Sequence, residues 1–304
     1  MNQQINNISS LGEISSAFDF HRQYIDINDQ KIHYIEKGNG DPILFIHGCP
    51  TSSYLWRNII PFVSNTHKAV AFDLIGMGGS NKPKKPYTFI DNYRVLEGFI
   101  DALGLKNITL VVHDWGAALG FEYARKNTEN VKAIAFMEAV LPPIFPQVSY
   151  DAMGEEIGAL FKSFRDPIEG VELLINQHMF IEKTLPDFIL RPLDKVTWDQ
   201  YKAPFLNQDD RTALLTWPKE LPIAGEPKDN VVLMADIEAF MCSSQIPMLL
   251  LYSDPGILTP PELVPWYQEN IKNLSIVHVG KGLHFIQEDE PILIGEAIAH
   301  WLVT

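Results

Sequence analysis

Leu110-Val111-Val112-His113-Asp114-Trp115-Gly116-Ala117-Ala118-Leu119-Gly120 joins two patterns with no linker between them. The residues up to Val112 form an apolar, β-type run, and an alanine-rich helical pattern starts at Gly116. A strand that turns straight into a helix is the layout of a nucleophile elbow, which lifts one side chain above a parallel sheet. The usual pattern there is G-x-S-x-G. Here Val112 takes the first position, Gly116 the last, and Asp114 the centre. A carboxylate needs no base to deprotonate it, so it can attack carbon directly and form an ester.

The surrounding chain fits one large α/β domain with an insertion. Its 304 residues are enough to bury a substantial core, and its apolar share of 46% and charged share of 20% are those of a globular protein. A formal net charge of −14 argues against nucleic acid and against an anionic membrane as partner. The two cysteines, Cys49 and Cys242, make neither a disulfide framework nor a C-x-x-C metal site, which fits a reducing, cytoplasmic setting. The N-terminus lacks the basic and apolar regions of a signal peptide, and no apolar run reaches the ~18 residues of a membrane span. Residues 1 to about 18 are polar and expected to fray.

Outward from the elbow, strands are expected at Tyr24–Ile27, Lys31–Ile35, Ile43–Ile46, Ala69–Phe72, Ile108–Val112, Val131–Met137, Met248–Tyr252 and Ser275–Val279. Asn28-Asp29-Gln30 links the first two as a short hairpin. Helical spacing is expected from Ser53 through Phe62, from Phe89 to Leu103, near Val231 to Met241, and from Pro291 to Leu302. Alternation of strand and helix implies right-handed βαβ crossovers and a mostly parallel sheet. From about Leu141 to Glu226 that rhythm stops, and the chain is helical, aromatic and rich in proline. The expected architecture is an α/β-hydrolase fold, with a core of residues 1–140 and 227–304 and an inserted helical cap of residues 141–226.

In open α/β sheets ligands bind beyond the carboxyl ends of the strands. His47-Gly48-Cys49-Pro50, Asp114-Trp115, Glu138, Asp254 and Gly282-Leu283-His284-Phe285 each follow an expected strand. Nucleophile, acid and histidine come in the order typical of this fold. Of the nine histidines, His284 is favoured by its glycine-flanked loop after the last strand. His278 sits inside that strand and suits a core or edge role, while His47 and His113 suit hydrogen bonds to nearby backbone.

The chain resembles the haloalkane dehalogenases, in the subgroup with an Asp, Glu, His triad. The resemblance covers nearly the whole chain from about residue 20. It rests on His47-Gly48-x-Pro50-Thr51-Ser52-Ser53-Tyr54-Leu55-Trp56-Arg57, Asp73 to Gly78, His113 to Gly120, Met137-Glu138, Trp217 to Pro227, and Gly282 to Asp289. It implies Asp114 as nucleophile, His284 as general base, Glu138 as its orienting acid, and Trp115 as a halide ligand. It further implies an apolar pocket from Pro50, Phe180, Trp217, Pro218, Leu221, Ile257, Leu258 and Phe285. The expected partners are a small apolar halogenated substrate and halide ion, with no metal or organic cofactor, in a monomer or homodimer. Coelenterazine-type luciferases are similar to the same subgroup, and epoxide hydrolases share the His-Asp-Trp-Gly turn, so both stand as alternatives. An epoxide hydrolase would need acidic donors, for which the cap offers Tyr150 and Tyr201.

Two positions depart from the subgroup or compete within it. Cys49 stands where the subgroup usually has Asn as second halide donor. It reads either as a weak thiol donor, with halide binding weaker or completed elsewhere, or as a packing residue or engineered change. Asp254 lies where related subgroups carry their acid and competes with Glu138, which the Met137-Glu138 match favours. The segment Phe145 to Met153 lacks the Trp-rich stretch usual at that point of the cap.

Overall fold

A computed structural model of the chain describes residues 13–304. Eight strands form the central sheet: β1 (Arg22–Ile27), β2 (Gln30–Lys37), β3 (Pro42–Ile46), β4 (Lys68–Phe72), β5 (Ile108–Asp114), β6 (Val131–Ala139), β7 (Met248–Pro255) and β8 (Leu274–Gly282). Their order is β1-β2-β4-β3-β5-β6-β7-β8. β1 and β2 pair antiparallel through a hairpin whose two turn residues, Asn28 and Asp29, both have positive φ, as a tight two-residue turn requires. β2 also runs antiparallel to β4, and every later pairing is parallel. β5 is buried at all seven positions, which is why Leu110-Val111-Val112 at its centre is continuously apolar instead of alternating.

Parallel strands need crossovers, and helices supply them. The main helices are α1 (Phe89–Ala102), α2 (Trp115–Lys126), α3 (Glu155–Arg165), α4 (Lys195–Lys202), α5 (Thr212–Glu220), α6 (Lys228–Ser243) and α7 (Val264–Asn270), with α8 (Ile286–Asp289) and α9 (Pro291–Trp301) following the last strand. α1 starts on a capping box in which Thr88 and Asp91 exchange hydrogen bonds. Between β6 and α6 the chain contributes no strand to the main sheet. It leaves and returns at one point, where Gln147 bridges Ile223, Gln147 N donates to Pro222 O at 2.9 Å, and Ala224 N donates to Gln147 O at 2.9 Å.

The sheet order positions the site. β3 and β5 are neighbours with Ile46 beside Val112, so the residues that follow them emerge side by side at the carboxyl edge.

Two local expectations need correction. The helix expected from Ser53 through Phe62 is a 3-10 turn, Ser53–Trp56, followed by one short turn, Ile60–Val63. Pro61 has no N–H to extend the ladder back to residue 57, so the apolar spacing packs without a continuous helix. Residues 1–12 of the tail expected to fray lie outside the described residues, but residues 15–18 are anchored. Tyr54 Oη donates to Ser16 O at 2.7 Å, Arg57 Nε donates to Ser15 O at 2.8 Å, and Phe18 packs on Tyr54. The crossover helix α7, preceded by Pro260 and Pro261 and carrying Pro265 in its first turn, shows no clear helical period in the sequence. His278 lies exposed on β8, the edge strand, with its ring 5.0 Å from that of Tyr252.

Candidate active site

Asp114 ends β5 and begins the turn into α2 with φ 52° and ψ −129°, a conformation L-residues rarely adopt. The turn is tight because its neighbours have no side chains. A Cβ on Gly116 would meet Ile46 O at 2.2 Å, and one on Gly48 would meet Asp114 Oδ1 at 1.9 Å. With those glycines the β3 loop reaches the carboxylate, and Cys49 N donates to Asp114 Oδ1 at 2.8 Å.

His284 follows β8 and approaches from the other side, its Nε2 3.4 Å from Asp114 Oδ2 and its Nδ1 3.3 Å from Glu138 Oε2. Glu138 sits near the end of β6 with φ 42° and is fully buried. The loop after β7 wraps its carboxylate: Ile257 N donates at 3.1 Å, Leu258 N at 2.8 Å and Thr259 N at 3.1 Å. A buried carboxylate satisfied this way is fixed in position, and it fixes the imidazole in turn. Asp254, the competing acid, is exposed on β7 and does not contact His284 among the described residues. The register of β7 with β8 sets it beside Lys281, outside the site.

The three groups shape one another's charge. Burial alone would push the His284 imidazole down, but hydrogen bonds and charge from Asp114 and Glu138 lift its pKa to about 9. Burial alone would raise Asp114, but the hydrogen bond and charge of His284 bring it below the ordinary carboxylate value. Asp114 is thus an anion paired with a protonated imidazole at neutral pH. His113 stays neutral, pushed to about 3 by burial and the neighbouring His284 charge. Its Nε2 lies 2.8 Å from His284 O, and His47 lies between Gly48 O and Leu74 N, backbone roles as the sequence suggests.

A stability consequence follows. The folded-state pKa of His284 lies above its ordinary 6.5, so pairing contributes fully at pH below about 6.5 and is lost as pH rises through about 9. The unfolding temperature of the wild type should therefore fall more steeply with rising pH across that window than that of His284→Phe. Equal slopes would contradict the pairing.

Above Asp114 lies a cavity of about 380 Å³. Of the expected lining residues, Phe180, Trp217, Pro218, Leu221, Ile257, Leu258 and Phe285 face it, with Cys49, Asp114, Trp115 and His284 at its floor. Pro50 does not line it. That residue is buried in the turn that carries Cys49 N to Asp114 and closes with Thr51 N on Gly48 O. Sequence reasoning missed Ile157, Leu160, Phe161 and Phe164, which also line the cavity. Their spacing of i, i+3, i+4 and i+7 along α3 was a readable signal.

Neither Tyr150 nor Tyr201 reaches the cavity. Tyr150 lines a separate surface groove, and Tyr201 is buried with its hydroxyl on Glu288. Among the described residues no tyrosine lines the cavity, so the paired phenol donors that epoxide opening needs are not in place. Trp115 packs its ring 5.0 Å from that of Trp217, and no protein acceptor among the described residues engages its indole N–H. The Cys49 thiol is raised well above its ordinary value by burial and the Asp114 charge, so it keeps its proton.

Known proteins match this arrangement over nearly the whole chain. Residues 41–170 match the α/β hydrolase fold family. A haloalkane dehalogenase of Mesorhizobium japonicum is 39% identical over 92% of this chain and 91% of its own. The chain belongs to the haloalkane dehalogenase family. A second member, from Sphingobium indicum, is 41% identical over 91% of this chain and 94% of its own. Among solved structures, a putative ancestral haloalkane dehalogenase superposes with a TM-score of 0.88 at 38% identity, covering 92% of this chain and 98% of its own. The family member DatA of Agrobacterium tumefaciens gives 0.88 at 36% identity, covering 96% and 99%. No helix among the described residues is long and apolar enough to cross a membrane.

Proposed function

We propose that this chain is a haloalkane dehalogenase that hydrolyses carbon–halogen bonds to an alcohol and halide through a covalent ester on Asp114. One observation carries the reading. An ionised carboxylate on a strained elbow faces His284, backed by Glu138, at the floor of a cavity whose walls are otherwise largely apolar.

In the first half-reaction Asp114 attacks the sp³ carbon in line, a C–O bond forms, and the carbon–halogen pair leaves as halide. Halide needs no acid, only donors where charge collects. The Trp115 indole N–H, a donor with no acceptor, is the principal one, and the Cys49 S–H is the second. In the second half-reaction water attacks the ester carbonyl while His284 takes its proton, and Glu138 holds the tautomer and steadies the imidazolium. The backbone N–H groups of Cys49 and Trp115 hold the tetrahedral oxyanion. His284 then protonates the departing alkoxide as the acyl C–O bond breaks.

The charges time these steps. Forming the ester removes the Asp114 charge that helps lift His284. Burial then pulls the imidazole down, and it is free of its proton when it must accept one from water. The resting proton leaves with halide, so the sum is alkyl halide plus water giving alcohol, halide and a proton. Residues 141–226 act as a cap that roofs the cavity and keeps bulk water from the ester.

The test is a substrate panel of 1-chloro-, 1-bromo- and 1-iodoalkanes beside epoxides and coelenterazine. Halide release with the haloalkanes is expected. Epoxide opening or light output without halide release would overturn the reading. The panel also tests Cys49. A thiol is a weaker donor than an amide, and chloride, with its more concentrated charge, loses most by that. Cys49→Asn should raise kcat/KM for the chloroalkane relative to the iodoalkane by roughly tenfold, one good hydrogen bond. An unchanged ratio would remove Cys49 from the halide site.

A further inference from the structure

One residue, Phe285, separates His284 from α8, which carries two acidic residues that the chemistry above leaves unused. Glu288 is fully buried. Arg57 grips its carboxylate with both terminal nitrogens, Nη2 donating to Oε2 at 2.8 Å and Nη1 to Oε1. The Tyr201 hydroxyl donates to Oε1, and Arg191 Nη2 donates to Oε2 while its Nε donates to the Glu288 main-chain oxygen. Asp289 accepts from Leu190 N at 2.8 Å, Arg191 N at 3.0 Å and Leu283 N at 3.2 Å. Phe285 N donates to Phe188 O at 3.2 Å.

These contacts surround the base. The backbone just before His284, at Leu283, and just after it, at Phe285, is tied directly or through Asp289 to residues 188–191 of the inserted segment. Phe188 itself lines the substrate cavity. Arg57 brings in the turn after β3, stacked 4.1 Å over the Tyr54 ring.

A buried ionic cluster is a poor source of stability, because desolvation offsets most of its attraction and an apolar cluster of similar volume often does as well or better. What it supplies is direction, since three donor side chains converge on one carboxylate. His284 has need of it, for its two contacts are long, at 3.3 Å to Glu138 and 3.4 Å to Asp114. Small displacements of such a base are costly in rate.

We infer that Glu288, clamped by Arg57, Arg191 and Tyr201, is a positioning residue that holds the His284 loop in register for ester hydrolysis and couples it to the cavity wall. The inference rests on the reading of His284 as general base. It makes the cluster specific to the second half-reaction, because alkylation needs only Asp114 and the halide donors.

The experiment follows ester formation and ester decay separately, by quenched-flow intact mass in single turnovers with 1-bromohexane. Tyr201→Phe and Arg191→Ala are the main variants, since each removes one clamp and leaves the buried Arg57–Glu288 pair. Arg191→Lys serves as the conservative rescue, and His284→Phe is run in parallel. Ester formation should stay within about twofold of wild type while decay slows by roughly tenfold, with Arg191→Lys recovering most of the loss. Loss of fold integrity alone would lower both rates together, and that result, or unchanged decay, overturns the inference. If His284→Phe traps ester while the clamp variants hydrolyse it normally, only the positioning role fails. If His284→Phe itself hydrolyses ester at the wild-type rate, the reading of the base has failed.

Discussion

Asp114→Asn is expected to lose halide release by at least about four orders of magnitude while the protein keeps its fold, the scale on which removing an enzyme's nucleophile acts. Asparagine keeps the shape of the side chain and tolerates the positive φ of 52° better than most residues. It carries no charge to drive displacement at carbon. The same change should reach His284. The Asp114 hydrogen bond and charge help lift that imidazole to about 9, so without them burial pulls it down. A proton NMR titration of His284 in Asp114→Asn should therefore show a clear fall from the wild-type value, with the same direction expected in the ester intermediate. Halide release within tenfold of wild type, or an unmoved His284, would count against Asp114 as the paired nucleophile.

Legibility in the sequence followed locality. The elbow could be read because everything it needs lies within a few residues: a buried strand, a strained centre at Asp114, and Gly116 where α2 passes Ile46 O at a separation no Cβ permits. His284 could be read from its place after the last strand. Choosing Glu138 over Asp254 was harder, because both are acids near strand ends. Only the fold shows three backbone N–H groups wrapped around one and solvent around the other.

What the sequence concealed was long-range or irregular. Arg57 and Glu288 are 231 residues apart, and no local pattern marks two charges as partners at that distance. Pro61 interrupts a helical spacing that looks continuous when only apolar residues are counted. Pro50 belongs to a motif that touches the site, yet its own ring does not line the cavity. The helices between β6 and α6 are short and broken by proline, so periodicity marked their existence better than their bounds. α3 is the exception. Its apolar face was there to be read, and it supplies four cavity residues.

His284→Phe carries the second large effect and the most direct test of covalent catalysis. Without a base, ester hydrolysis should slow by roughly three orders of magnitude or more, while alkylation, which uses Asp114 and the halide donors, continues. One equivalent of halide per enzyme should then appear and turnover stop. The measurement is the intact mass of His284→Phe after incubation with 1-bromohexane, followed by peptide mapping. The account predicts a gain of one hexyl group less one proton, located on Asp114. Unmodified protein, with halide released or substrate shown to bind, would contradict a covalent intermediate on this residue.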